Sequence, residues 1–411
     1  MKKVEKLVFP DNLKWFIGSM ILANISGAMI FPLMPIYVVH ELGATITQVG
    51  LMFTVASVVP IFLQIISGFV SDIIGRLPII AIGAVIASFG YIGFIFAPTW
   101  QWFIIALMLE YVSGSLIGPS YGAYIADQST EENRGRIFGI TDSLFLIVGV
   151  FGPPIGGFLV TQYSFKTMYI VGAVTYIMAA LLRIYMVFNP KFKERQSFEP
   201  ENKLDLGNFK TSMKTMWALV IGGGVITWIL ITDGVRDIAY VFTNSLEPIY
   251  QEQIGGLNEQ IIGNLSAVSS IAWIGASLLS GWITDKFESR VSITIGFFLQ
   301  FSSVLVFVNA ESVLVFAVAR GLSGAAFGFM FPAYDALIGK VVPENMRGIA
   351  YGLFWTSISI LALPAPYIGS YMWENISPDS PFLLVAAITF IIGIFAWFKL
   401  KPNETKSGSQ V

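Results

Sequence analysis

The sequence predicts an all-α integral membrane protein of twelve transmembrane helices arranged as two pseudo-symmetric six-helix bundles. Of its 411 residues, 55% are hydrophobic and 12% charged, a balance outside that of water-soluble globular chains. The apolar residues gather in stretches of about 20, the length that crosses a hydrocarbon core. A shift of 213 residues lays the second half of the chain on the first.

The stretches run over 14–39, 46–70, 78–97, 101–125, 138–161 and 166–188, then over 215–245, 258–283, 291–309, 312–338, 348–372 and 381–398. One polar stretch, 189–214, separates the two sets and contains Lys191, Lys193, Glu194, Arg195, Lys203, Asp205 and Lys210. The domains expected are therefore an N-terminal half (1–188), a cytoplasmic linker (189–214) and a C-terminal half with a short cytoplasmic tail (215–411). Twelve crossings put both termini on one side. Of the 24 Lys and Arg residues, 21 fall at that side, Arg183 counted among them. Only Lys166 lies in an outer loop, and Arg236 and Arg320 lie inside spans. Positive charge marks the cytoplasmic face, so both termini are expected inside, in the cell membrane. The absence of Cys removes thiolate metal sites, disulfides and a cysteine nucleophile, and a net charge of −2 gives no reason to expect nucleic acid.

At the 213 offset Pro35, Ile36 and Tyr37 fall on Pro248, Ile249 and Tyr250, and Gly68 and Asp72 on Gly281 and Asp285. Arg134, Gly135 and Gly139 fall on Arg347, Gly348 and Gly352, and Pro153, Ile155 and Gly156 on Pro366, Ile368 and Gly369. Two parallel repeats of this kind place a substrate site at their interface and move it by rocking.

Along its full length the chain resembles the major facilitator superfamily. The loop GFVSDIIGR, with Gly68, Asp72 and Arg76, and its counterpart GWITDKFESR, with Gly281, Asp285 and Arg290, look like that family's cytoplasmic loop signature, which implies a gating role. Ile73 stands where a basic residue usually follows the Asp. In the fifth span, Gly139 and GPPIGG, with Gly152, Pro153, Gly156 and Gly157, resemble the motif of the proton-coupled antiporters, although Val148 occupies a position the family gives to Gly. The same glycines and prolines also suit an ordinary close helix interface with a kink. PLMPIY at the end of the first span points to the drug:proton branch.

Charges at membrane depth are costly and concentrate at interiors and water-filled cavities. Here they are Glu110 in span 4, Asp233, Arg236 and Asp237 in span 7, and Arg320 in span 10. Spans 1, 4, 7 and 10 line the central cavity in the family, and span 1 adds Asn24, which aligns with Asp237. Glu110, Asp237, Arg320 and Asn24 are therefore the expected cavity residues. Span 4 reads E-x-x-x-G-x-x-x-G from Glu110 and span 10 reads R-x-x-x-G-x-x-x-G from Arg320, which suggests a local offset of 210 and a short indel. The family form of this motif begins with Arg, so Glu110 could carry the proton itself, pair with a base or bind a cation. Asp233 and Asp237 share a helix face, and Arg236, three residues from Asp233, can reach it, which places one arginine among two acids. That arrangement serves either proton switching or a static ion pair.

The function expected is secondary active transport by alternating access, as proton-coupled efflux of amphipathic or cationic small molecules. Glu110, Asp233 and Asp237 are the coupling acids, with Arg236 and Arg320 as countercharges. A proton-coupled carrier of a specific metabolite, sugar or lipid is the alternative, and a non-transporting receptor or enzyme is remote. No nucleotide loop, metal-ligand cluster or Ser/His/Asp arrangement is present, so no cofactor, no metal and no catalytic residue are expected. The partners expected are substrate, protons and lipid, with the chain acting as a monomer.

Overall fold

The computed structural model describes residues 11–130, 133–192, 224–342 and 359–401; the side chains of residues 11, 64–66, 68, 69 and 72 also fall outside the described set. Most of the 189–214 linker, the starts of spans 7 and 11, the Arg347, Gly348 and Gly352 triplet, and the side chains of Gly68 and Asp72 therefore lie outside the described residues.

Every described element is helical, as a lipid-spanning backbone requires when it has to satisfy its own polar groups. In chain order these are α1 (Asp11–Ile30), α2 (Met34–His40), α3 (Ile46–Ile74), α4 (Arg76–Phe96), α5 (Trp100–Asp127), α6 (Arg134–Gln162) and α7 (Phe165–Phe188). After a short 3-10 turn come α8 (Val225–Asn244), α9 (Glu247–Gln253), α10 (Glu259–Lys286), α11 (Ser289–Val308), α12 (Val313–Val341), α13 (Ala365–Asn375) and α14 (Ser380–Lys399). Ten of them are long and apolar enough to cross a membrane. Helix α8 carries the three charges of span 7, and α13 is the described part of span 11. Large apolar side chains cover the outside, with Leu278 76% and Phe188 80% exposed, the reverse of a soluble protein and the pattern lipid demands.

Spans 1 and 7 are each broken at the same place. Proline enters at the start of α2 and of α9, Pro35 and Pro248, where its missing N–H is harmless to the new helix but ends the old one. Between α3 and α4 the chain turns at Gly75, whose φ of 105° is one that a side chain would strain.

The chain divides into two compact units, Met1–Ala44 with Val55–Ser197, and Thr45–Thr54 with Phe198–Val411. The opening turns of α3 thus group with the second unit. In unit 1, α4 packs on α5 and α7, and α1 packs on α6 and α7. In unit 2, α12 packs on α10 and α11, α11 on α14, and α8 on α13 and α14.

The two units repeat one another contact by contact. In unit 1, Tyr37, Phe94, Phe103 and Tyr169 form an aromatic cluster, with ring centroids of Tyr37 and Tyr169 4.8 Å apart and of Phe94 and Phe103 4.7 Å apart. Adding 213 to each gives Tyr250, Phe307, Phe316 and Phe382, which cluster in unit 2 with Tyr250 and Phe382 5.2 Å apart and Phe307 and Phe316 5.4 Å apart. Gly156 lies so close to the Met29 carbonyl that a Cβ would clash, and Gly369 lies equally close to the Phe242 carbonyl, again 213 residues on.

This register corrects the 210 offset expected for spans 4 and 10. A Cβ on Gly83 would stand 2.8 Å from Ile117, and Gly296 meets Met330 in the same way, each pair displaced by 213. Likewise a Cβ on Gly90 would lie 2.8 Å from the Ala106 carbonyl, while Ser303 Oγ donates to the Ala319 carbonyl at 2.8 Å. No indel intervenes. The structural counterpart of Glu110 is Ser323, and that of Arg320 is Leu107. The two small-residue repeats therefore lie on different faces. Gly324 and Gly328 are pressed against α10 at the Ser269 and Trp273 carbonyls, a packing stripe in which a side chain could not fit.

Candidate functional site

In unit 2 the geometry begins with α8. One turn and its neighbour place Asp233, Arg236 and Asp237 on one face, and the guanidinium holds both acids: Nη1 stands 2.8 Å from Asp233 Oδ1 and Nη2 2.7 Å from Asp237 Oδ1, with Nε donating to the same Asp237 oxygen at 3.1 Å. Arg236 is 6% exposed and Asp237 25%, so the pair opens on the Asp237 side. The guanidinium also lies over the Phe331 ring at 4.2 Å and near Tyr334 at 5.4 Å. Phe331 stacks on Trp273 at 5.2 Å, Trp273 stacks on Phe327 at 5.7 Å, and Phe327 meets Tyr240 edge-on at 5.3 Å. The acids thus sit beside a continuous aromatic wall supplied by α8, α10 and α12. A crevice inside unit 2 runs from Arg236 past Tyr240 and Phe327 to Gln300 and Thr389.

Arg320, on α12, is ion-paired with Glu247 at the start of α9. Tyr240, on the same helix as Asp237, lies within electrostatic reach of both Asp237 and Arg320. Glu247 had no place among the sequence candidates. The signal was available, since it directly precedes Pro248 in the segment aligned with PLMPIY, where Met34 is its counterpart.

In unit 1, Glu110 lies on α5 beside Gly90, whose missing side chain lets the α4 backbone approach: a Cβ there would be 3.3 Å from the Glu110 amide nitrogen. Tyr91, next to Gly90 on α4, stacks on Tyr176 of α7 at 4.4 Å. Among the described residues no cation forms an ion pair with Glu110. Asn24 is half-buried on α1 and donates its amide to the Met20 carbonyl at 2.7 Å. Arg183, counted with the cytoplasmic cations on sequence grounds, is instead inside α7 and 1% exposed, with its guanidinium turned to α1. Its Nε donates to Ser19 Oγ at 3.3 Å and its Nη2 to Met20 Sδ at 2.9 Å.

The loop residues are arranged differently in the two units. Arg76 donates from Nη1 to Ser71 Oγ at 3.2 Å and lies 3.7 Å from Asp127, while Ser120 donates to Ser71 at 2.9 Å. Arg290 pairs with Glu288 at 2.5 Å and lies over Trp397, and Asp285 is exposed. The antiporter-like residues Gly152 and Gly156 are packing surfaces for α1, against Ala28 and Met29; Pro153 and Gly157 are buried beside them, and Gly139 meets no described atom within 4 Å. Among the described residues no group of His, Asp or Glu could hold a metal ion.

Comparison with known proteins gives the family. The family model described as Major Facilitator Superfamily matches residues 16–301 and 237–411. Among curated relatives, a "Multi-drug resistance efflux pump PmrA homolog" of Lactococcus lactis is 25% identical over 93% of this chain and 91% of its own length. "Multidrug resistance protein 1" of Bacillus subtilis is 24% identical over 94% and 96%. Among solved structures, a D-xylose-proton symporter superposes with a TM-score of 0.71 at 13% identity, covering 96% of this chain and 98% of that one. A peptide transporter gives 0.74 at 12% identity, covering 94% of each. At such identities the structures speak for the fold alone.

Proposed function

Because the chain belongs to the Major Facilitator Superfamily and resembles relatives named as multidrug pumps, we propose that it exports amphipathic or cationic small molecules across the cell membrane in exchange for protons, by alternating access with both termini cytoplasmic. The observation that carries this reading is the pairing of three acids and two guanidiniums among the described residues of unit 2. Three acids, Asp233, Asp237 and Glu247, share two guanidiniums, Arg236 and Arg320, so among the described residues of this group one carboxylate has no cation of its own. An excess negative charge at membrane depth needs a proton or a cation to offset it. A proton entering from outside and a cationic substrate leaving from inside compete for that one charge, which is the condition for exchange. The aromatic wall beside Asp237 gives an amphipathic cation apolar contact and cation–π attraction. The multidrug names of the relatives support the substrate class. Glu110 is the deep acid of unit 1, at a position that Ser323 takes in unit 2.

The test is flux of a panel of dyes, drugs and metabolites in proteoliposomes, with and without an imposed pH gradient, for the native chain and for Glu110→Gln, Asp233→Asn and Asp237→Asn. At least one variant should lose gradient-driven transport while keeping downhill exchange. Full proton-driven transport with unchanged pH dependence in all three would overturn the reading in favour of passive or differently coupled carriage.

A further inference from the structure

One outer seam of unit 2 carries side chains that the repeated scaffold of unit 1 lacks. Helices α11 and α14 pack side by side, and at their surface the exposed Phe390 ring meets Phe301 at 5.0 Å and Phe298 at 5.8 Å. Seven residues beyond Phe390, on the same face of α14 and about 10 Å along its axis, stands Trp397, also exposed. The Arg290 guanidinium, at the start of α11, lies over the Trp397 ring at 5.0 Å and donates from Nη1 to the Trp397 carbonyl at 3.4 Å. An aromatic strip thus follows the seam and ends under a cation.

Two lysines flank that end. Lys286 closes α10, across a short turn from Arg290, and lies over Trp282 at 4.8 Å and Phe287 at 5.6 Å. Lys399 closes α14, two residues after Trp397, and lies over Trp228 at 5.4 Å. A cation resting on an indole is held in place yet keeps its charge. Neither lysine forms an ion pair among the described residues. Arg290 pairs through Nε with Glu288, and its Nη2 makes no hydrogen bond among the described residues. Residues 285–290 and 399–401, which form this end of the seam, hold four cations against two acids. Positive charge is therefore in excess where the aromatic strip ends.

The repeat shows that packing does not call for these side chains. At positions displaced by 213, unit 1 has Ile73, Leu77 and Met186 for Lys286, Arg290 and Lys399. It has Ser88, Ile177 and Ile184 for Phe301, Phe390 and Trp397. Helices α4 and α7, the counterparts of α11 and α14, pack together without any of them.

We propose that this seam binds one anionic phospholipid, with its phosphate held by Arg290, Lys286 and Lys399 and an acyl chain laid along Phe298, Phe301 and Phe390. Tryptophans settle at headgroup level, so cations resting on them stand at the depth of the phosphates. The guanidinium fork matches phosphate oxygens, and Nη2 is the donor left to meet them. The excess positive charge selects a lipid of net negative charge over a zwitterionic one. This end of unit 2 is the one assigned to the cytoplasm, whose leaflet is the anionic one. The site depends on neither the substrate nor the proton coupling proposed above, and its test reads binding without transport.

That test is lipid binding to the full chain purified in detergent, followed by native mass spectrometry and by the rise in melting temperature. The probes are dioleoyl phosphatidylglycerol, dioleoyl phosphatidylcholine and inorganic phosphate. The native chain should bind phosphatidylglycerol in preference to phosphatidylcholine, and inorganic phosphate should not displace it. Arg290→Gln, Lys286→Gln and Lys399→Gln should each weaken phosphatidylglycerol binding about fivefold while leaving phosphatidylcholine binding within about twofold. Arg136→Gln and Lys191→Gln remove exposed cations from unit 1 and should leave phosphatidylglycerol binding unchanged. Phe390→Ala should weaken binding by removing contact with the chain. Equal binding of the two lipids by the native chain overturns the proposal. So does an equal loss from the unit 1 variants, because cations that merely mark one face of the membrane act alike wherever they stand. Displacement by inorganic phosphate overturns it in favour of a free-anion site. Should Arg290→Gln not fold, Lys286→Gln and Lys399→Gln decide by the same criterion.

Discussion

Neutralising Arg320 should destabilise unit 2 far more than neutralising Arg320 and Glu247 together. The two side chains are 18% and 19% exposed, so the pair is mostly withdrawn from solvent, and it ties the start of α9 to the first third of α12. Removing one partner of a buried pair leaves an uncompensated charge and costs about 3–5 kcal/mol. The residual exposure of both groups places Arg320→Met near the lower end, at about 3 kcal/mol. Arg320→Met with Glu247→Gln leaves a neutral amide with part of its hydrogen bonding, a loss of about 1 kcal/mol. For a unit of this size each kcal/mol moves the melting temperature by about 2–4 °C. Arg320→Met should therefore melt about 6–12 °C below the native chain, and the double variant within about 4 °C of it. Thermal unfolding of the detergent-purified protein, followed by tryptophan fluorescence, measures the cycle. A double variant as unstable as Arg320→Met would refute the reasoning, because the cost would then come from lost packing of the arginine stem and not from a stranded carboxylate.

Other consequences follow from the same contacts. Gly156→Leu and Gly369→Leu should both sharply reduce folded yield, because each places a side chain on a carbonyl of the partner helix, whereas Gly139→Ala should change stability by less than about 0.5 kcal/mol; size-exclusion profiles of the expressed variants separate the two cases. Asp127→Ala should shift stability by no more than about 1 kcal/mol, since its contact with Arg76 is 3.7 Å long and the acid is 51% exposed. Gly75→Ala should cost about 1 kcal/mol or more through its positive φ, measurable in the same melts. Reporter fusions after residue 192 and at the C-terminus should both read as cytoplasmic; an external reading at either would sink the assigned orientation.

The class of fold was legible because bilayer physics leaves few options: a chain with this hydropathy has to be helical, and its repeat was visible wherever a turn or a close contact demanded one residue type. Pro35 and Pro248, Tyr37 and Tyr250, and Gly156 and Gly369 are such places, since nothing else ends the helix, fills the aromatic cluster or admits the partner's carbonyl. The register of spans 4 and 10 was misread for a related reason. Small residues every fourth position mark a helix face, but they do not say against which neighbour that face lies, so E-x-x-x-G and R-x-x-x-G could be laid together at an offset of 210. The contacts of Gly83 with Ile117 and of Gly296 with Met330 fix 213 instead. Charge partners were legible only within one helix. Asp233, Arg236 and Asp237 declared themselves by spacing, while Glu247 is joined to Arg320, and Arg183 to Ser19 and Met20, across helices far apart in the chain. Arg183 was also hidden by the charge rule itself, which counts a cation near a helix end as facing the cytoplasm although its stem can bury it.

Once the register is corrected, the two units prove to share their packing and to differ in their ionisable groups. No deep charge of one has a charged counterpart in the other: Asp233 and Arg236 align with Met20 and Ala23, Asp237 with the neutral Asn24, and Arg183 with Ala396. A duplicated scaffold holds two units alike by repeating the contacts that shape them, and it leaves the interior positions free to diverge. Charges kept in one unit only, at a depth where each costs several kcal/mol of desolvation before any pairing, are therefore the positions at which the two units are expected to carry different parts of the exchange.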